Sequence, residues 1–466
     1  MMELGANSVR RVLPAEVVGI PVTPSSDYFS PVKKEVRAYD LHVEGELPRE
    51  LCGALFRIGP NAAGPGTPWG QGEGMVHSVA FADGNAVMYG NRWLRTRLWR
   101  ERMHLAVGSS EKADTADREG LANTSLIRHA DRLLAISEGG IPTEFSPQLC
   151  DEHVFRLHRA LRGGTVAHPK VDPRTGELFL LTYGGDEGHG RVGAYCISAS
   201  GDEIARSTTM YTGRDTRPHD MGLTDHYIVV LDLPRPRTNM EPSDRRSRLR
   251  SCRVGLLARN CHESKPAWID ARPCFVYHIL NAYERTEEVV MTLVVYPRTM
   301  GGGREHFGRP TLSSWTLNTR TGSFSEEILD ELPQEFPRID DRVFGQENRY
   351  GYTTWYAGAG TIEMRGINVW DFKCGSRSSY DFGAKCRISE AVFAPAGPEV
   401  AEGAGYLLTI VYNLETQSSG VAVMDVTRGS AELRAWVDLP YRVPAGHHGV
   451  WVSGVRGDRS LEYSLP

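Results

Sequence analysis

The sequence predicts an all-β fold, a single-domain propeller built of four-stranded blades. Three observations predict it. Short runs of branched and aromatic residues far outnumber helical periodicities, Gly (49) and Pro (27) are plentiful in a chain of 466 residues, and a D/N-x-x-x-G turn recurs. Glycine and proline at that density favour short elements joined by turns.

Along the chain, residues 1–27 read as an extended N-terminal segment and 28–466 as the propeller domain. LGANSVRRVL near the start has a helical pattern. Val79–Thr96 alternates around Asp83-Gly84, as a hairpin does. A helix is expected in the later part of Pro147–Leu161, confined there by Pro142 and Pro147. ELFLLTYG from Glu177, YIVVLDLP from Tyr227, VVMTLVVYP from Val289 and GYLLTIVYN from Gly405 read as strands, and LSSWTLNT from Leu312 as a weak helix. The turns are Asp172/Gly176, Asn318/Gly322, Asp371/Gly375 and Asp425/Gly429. Asp or Asn can bond its own backbone there, and Gly supplies a positive φ. The last three recur every ~50 residues, and the first fits three such periods earlier. At ~50–60 residues per blade, the chain holds about seven or eight.

Lys plus Arg total 53 against 58 Asp plus Glu, a net charge of −5. That balance gives no field for gripping phosphate backbones and excludes nucleic-acid binding. No run approaches the ~18 apolar residues of a membrane span. No long amphipathic helix carries a basic face, and peripheral membrane contact stays open. The start lacks the apolar core of a secretion signal, so a cytoplasmic protein is expected. The eight cysteines show no C-x-x-C and read as reduced thiols.

Four of the 15 histidines stand in unusual settings. His168 (VAHPKVDPRTGELF) and His219 (RPHDMGLTDHYIVVLDLP) lead into strands. His278 (PCFVYHILNAYE) ends an apolar run, and His448 (LPYRVPAGHHGVWV) is followed by Gly449. They form no H-E-x-x-H cluster. Ligands so far apart converge only where the fold brings strand ends to one point, as the axis of a propeller does.

Nine blocks, in order between about residues 28 and 453, resemble the carotenoid cleavage oxygenase family. They are ELPRELCGALFRIGPNA, GEGMVHSVAFADGNAVMYGNRWLRT, AHPKVDPRTGELF, HDMGLTDHYIVVLDLP, RVGLLAR, CFVYHILNAYE, EFPRID, SEAVFAP and HHGVW. The resemblance implies a seven-bladed propeller with loops and short helices capping the active-site face. It implies Fe(2+) held on the axis by His168, His219, His278 and His448, with His447 the alternative to His448. Glu138, Glu335 and Glu390 map onto carboxylates behind three of the imidazoles. Such partners fix the tautomer and direction of a ligating ring, and they balance the charge that neutral imidazoles leave on the metal. Thr124 and Trp99 map to the substrate pocket.

The implied reaction adds both atoms of O2 across a C=C bond of a small conjugated alkene, giving two carbonyl products. No protein nucleophile is required, and no Ser-His-Asp set is evident. Members acting on stilbenes use a phenol-binding Tyr and Lys, whereas here Ser137 precedes Glu138 and Trp99 stands where the Tyr falls. PGTPWGQGEG also departs from the family, with Gly70 in an aromatic's place. These departures favour a polyene, an apocarotenoid or a related alkene. A stilbene- or phenylpropenoid-cleaving dioxygenase, an iron-dependent isomerase and a propeller that binds without turnover are the alternatives.

Overall fold

The computed structural model describes residues 27–63, 67–103, 119–184, 190–212, 216–233, 252–260, 265–297, 308–358 and 361–455. The N-terminal segment, including LGANSVRRVL, lies outside them except for Asp27. Among the described residues the strands form six antiparallel sheets, and the single α-helix is Arg97–Arg102.

The first sheet runs Arg37–Tyr39, Asn85–Trp93, Gly74–Ala82, Gly53–Pro60 and Gly449–Ser453, so that a late strand completes an early sheet. The second runs Ser125–His129, Arg132–Ile136, Thr143–Phe145 and Glu152–Val154. In the third, Gly164–Thr165 and Lys170–Val171 both pair with Leu178–Tyr183, followed by Arg191–Ile197 and Ile204–Tyr211. The fourth holds Met221–Leu223, Tyr227–Asp232, Cys252–Ala258 and Ala267–Ala271. Phe275–Arg285, Glu288–Tyr296, Thr311–Asn318 and Phe324–Asp330 make the fifth.

The last sheet has ten strands and divides into two meanders. One is Gln334–Arg338, Tyr350–Tyr356, Met364–Asp371 and Ser376–Asp381. The other is Val392–Pro395, Gly405–Asn413, Ser419–Asp425 and Glu432–Asp438, with Val43–Gly45 on its outer edge. Cys386–Ile388 joins them by pairing with both Met364–Asp371 and Gly405–Asn413.

Burial explains the strand composition. Gly405–Asn413 is buried at every position, whereas the edge strand Ile204–Tyr211 alternates. A central strand here is covered on both faces, because apolar layers lie between neighbouring sheets. One layer joins the first and second sheets through Phe56 and Phe145. Others join the second and third through Leu134 and Leu180, and the third and fourth through Phe179 and Val230. The fourth meets the fifth through Val254 and Met291, where Trp370 of the next meander also packs. Tyr352 and Leu407 share a layer between the two meanders, and Leu408 meets Val79 of the first sheet.

The turns follow their chemistry. Asp83 and Gly84 have φ of 51° and 75°, the positive pair a two-residue hairpin needs. In all four D/N-x-x-x-G turns the Asp or Asn side chain accepts a bond from the backbone N–H two residues on. The glycines all have positive φ. Three of them connect the third and fourth strands of a meander. Asp172/Gly176 instead joins the first strand of its sheet to the second, so its agreement with the period is coincidental.

Two helices expected from the sequence are absent. Within Pro147–Leu161, Leu149 adopts φ 55°, Glu152–Val154 pairs with Thr143–Phe145, and a 3-10 turn spans His158–Ala160. The Glu144 carboxylate accepts the backbone N–H of Arg156 and its guanidinium, which holds this stretch extended. LSSWTLNT lies in the strand Thr311–Asn318, bonded on both sides, with Ser313, Trp315 and Leu317 buried. That period of two outweighs the local helical pattern. No helix among the described residues is long and apolar enough to cross a membrane.

Candidate metal centre

The first strands of successive sheets lie against one another and carry the polar residues of interest. Lys170–Val171 contacts Met221–Leu223, which contacts Phe275–Arg285, which contacts Gln334–Arg338. Gly449–Ser453 contacts both Val392–Pro395 and Ser125–His129. His168 precedes the first of these strands, His219 the second, and His448 the Gly449 strand. His278 sits in Phe275–Arg285 where a bulge shifts the register between Val276 and Ile279. Such a bulge re-aims a side chain.

The four imidazoles converge. Ring centroids lie 4.9 Å apart for His168–His219, 4.9 Å for His168–His278 and 4.4 Å for His168–His448. His219–His278 and His278–His448 are 5.2 and 4.8 Å apart. Ligand atoms of His168, His278 and His448 lie within 4.8 Å of one another, with His219 beside this trio.

Carboxylates stand behind three of the rings. Nδ1 of His219 lies 2.5 Å from Glu138 Oε2, Nδ1 of His278 2.5 Å from Glu335 Oε2, and Nδ1 of His448 2.9 Å from Glu390 Oε1. Each contact leaves Nε2 for another partner. Nε2 of His168 and of His278 are buried without a hydrogen bond. A buried orphan nitrogen is costly, and two in one imidazole cluster fit a divalent metal. An all-imidazole donor set suits iron, zinc, copper or nickel.

Electrostatics keep the nitrogens of His168 and His448 available. Burial, aided by the neighbouring imidazoles, holds His168 well below the ordinary histidine value. Burial also lowers His448 to about 4 against the pull of Glu390. Burial opposes charge on His278 too, but Glu335 outweighs it and raises that group. Glu390 would be raised by burial, yet Arg338 and His448 bring it down to about 2.

His447, the alternative, points elsewhere: its Nδ1 lies 3.1 Å from the Asn123 carbonyl and its ring packs edge-on to Trp69 at 5.0 Å. Thr124 is brought to the cluster, accepting the His448 backbone N–H at 3.2 Å. Trp99 is buried in the short helix beside Trp93 and Arg95, with none of its ring contacts to the four histidines.

A second layer escaped sequence reasoning. Tyr296 donates to Glu335 Oε1 at 2.9 Å and lies 2.9 Å from the Tyr356 hydroxyl. Tyr183 donates to Glu138, and the Gly449 N–H to Glu390. Phe336, at φ 51°, stacks on His278 at 5.8 Å and meets His448 edge-on at 5.1 Å. Its own N–H bonds Glu335 Oε2, so one strained residue orients the carboxylate and walls the rings. The slip in register between Glu335 and Arg338 places it, and no local sequence pattern announces that slip.

Glu138 is set by interleaved glycines. The Gly139 N–H bonds the Thr165 carbonyl, and the Thr165 N–H bonds that of Gly140, both at 2.9 Å. This ties the Glu138 turn to the strand ahead of His168. A Cβ at Gly164 would fall 1.8 Å from the Gly139 carbonyl oxygen. Gly164→Ala is expected to cost ~1–3 kcal/mol by overpacking, read as a lowered denaturation midpoint. An unchanged midpoint refutes this packing account.

Residues 29–453 match the family model described as retinal pigment epithelial membrane protein. The chain is similar to a carotenoid cleavage oxygenase of Mycobacterium tuberculosis, with 31% identity covering 91% of this chain and 96% of that protein. Its fold matches the crystal structure of a lignostilbene dioxygenase from Pseudomonas brassicacearum. The TM-score is 0.82 at 22% identity, covering 94% of this chain and 100% of the other. A cobalt-substituted ACO of Synechocystis matches with TM-score 0.79 at 20% identity, covering 91% and 98%.

Proposed function

Since the chain belongs to the retinal pigment epithelial membrane protein family of carotenoid cleavage oxygenases, we propose that it is an Fe(II)-dependent dioxygenase cleaving a C=C bond of a polyene, apocarotenoid or related conjugated alkene. Two carbonyl products result. The observation that carries this reading is the convergence of four imidazoles, three of them backed by carboxylates. His168, His219, His278 and His448 would hold the metal, and Glu138, Glu335 and Glu390 would orient three of those rings. When bound, the metal supplies the activation of dioxygen.

The chain's own residues do the rest. The carboxylates hold each Nδ1 so that Nε2 faces the shared centre. Tyr277, 5.2 Å from His219, and Phe336 put aromatic faces beside the imidazoles, a surface suited to a flat conjugated hydrocarbon. Thr124 borders the same space, and Trp99 is the more distant candidate for lining the pocket. Polar groups placed to donate a proton to substrate are not needed for double-bond cleavage. The reading extends to the fold: residues 28–466 would form one propeller of seven blades. Five sheets of four or five strands plus the two meanders give that number, and the succession of apolar layers supports closure. Cytoplasmic residence is part of the same proposal.

Incubation with 18O2 and candidate polyenes tests the reaction: two carbonyl products, each carrying label, are expected. An unlabelled isomer would instead establish the isomerase alternative. Glu390→Gln should weaken metal binding ~10–100-fold, the usual effect of losing an outer hydrogen-bond partner. Metal affinity equal to that of the parent would remove Glu390 from the proposal.

A further inference from the structure

The three ring-facing carboxylates leave a buried fourth unexplained. Asp220 is 2% exposed and follows His219. Its Oδ1 lies 2.8 Å from Lys170 Nζ and accepts the Met221 N–H at 2.7 Å. Its Oδ2 accepts the Ile279 N–H at 2.8 Å. Lys170 is two residues after His168, and Ile279 is next to His278. One side chain therefore ties together the strands that carry three different histidines, each from a different sheet.

The local structure explains why the tie exists. A parallel bridge joins His168 to Asp220 outside the named strands, so two sheets touch there with little ladder to hold them. The bulge in Phe275–Arg285 shifts register on both sides of Ile279. Asp220 accepts that residue's N–H. Lys170, most of its side chain buried, approaches the Phe344 ring face at 5.4 Å and supplies the counter-charge. A buried ion pair adds little net stability, because desolvation offsets the attraction. Its value lies in geometry. A carboxylate with three donors from three directions fixes their mutual positions, as a nonpolar contact does not.

We infer that Asp220, with Lys170 as its counter-ion, is a positioning residue that sets the spacing of His168, His219 and His278 around the metal. The inference rests on the metal-centre reading above. Among the described residues no glutamate backs His168 as one does each of the other three rings, and the Lys170–Asp220 link braces its strand instead.

The test uses the full-length protein, stripped of metal and titrated with Co(II) alone. It reads affinity, the visible d–d bands and the denaturation midpoint of the metal-free protein. Asp220→Asn keeps the side chain's size but removes its charge. It is expected to weaken Co(II) binding ~10–100-fold and to shift the bands. Lys170→Met should move both in the same direction, and it carries the test if Asp220→Asn fails to fold. Leu256→Ala, a core change outside the cluster, should lower the midpoint but leave the bands in place. Parental affinity and bands in the Asp220 and Lys170 variants, whatever their midpoints, would overturn the inference while leaving the metal centre intact. A parent protein that takes up no Co(II) would overturn both.

Discussion

His278→Ala is expected to yield a folded protein that retains no metal and turns over no alkene. The ring contacts three other imidazoles, at 4.9, 5.2 and 4.8 Å, and its Nε2 is buried without a partner. Removing it leaves an incomplete donor set that nothing nearby replaces, since Glu335 faces the Nδ1 side. The substitution also strands the Glu335 carboxylate, which retains Tyr296 and the Phe336 N–H but loses its imidazole. A buried acceptor losing a partner costs ~1–3 kcal/mol, so the metal-free variant should also be less stable. Metal analysis, a product assay and a denaturation curve check the three parts. One equivalent of metal with parental turnover would exclude His278 as a ligand.

The largest effect on stability is expected at Trp315. Its side chain is fully buried in the layer between the fourth and fifth sheets and meets Phe324 edge-on at 5.2 Å. Trp315→Ala removes the indole from a layer bounded on both faces by strands, which limits how far the surroundings can collapse. The expected loss is ~3–5 kcal/mol, read from chemical denaturation. A loss below ~1 kcal/mol would mean that the layer collapses and refills the space.

Trp315 also shows where sequence reading stops. LSSWTLNT can be heard as a weak helix, because Leu312, Trp315 and Thr316 share a helical face. What decides against it is pairing with Glu288–Tyr296 and Phe324–Asp330, and both partners lie outside the window. Pro147–Leu161 fails for the same reason, because the Glu144–Arg156 contact comes from the fold. The strands with strong branched runs and the Asp83-Gly84 hairpin were legible, since local chemistry and tertiary pairing agree there.

The site divides similarly. The four histidines, Glu335 and Glu390 were readable because each lies in a recognisable block, with Glu138 mapped by the same resemblance, and the structure brings His168, His219, His278 and His448 together. Tyr296, Tyr356, Phe336, Arg338 and Asp220 were not, because their roles depend on register. Tyr296 ends an apolar strand like many tyrosines, and nothing local says that its hydroxyl reaches Glu335. Trp99 stands where the family's phenol-binding Tyr falls, and its ring neighbours are Trp93 and Arg95.

The clasp between Gly449–Ser453 and Gly53–Pro60 has a consequence for biosynthesis. Arg57 pairs with Gly449, so this ladder cannot form until the Gly449 strand has been synthesised. His448 arrives with the same strand. A chain cut short before this strand lacks both the fastening and the fourth imidazole, so completion of the proposed metal centre waits on the synthesis of that strand.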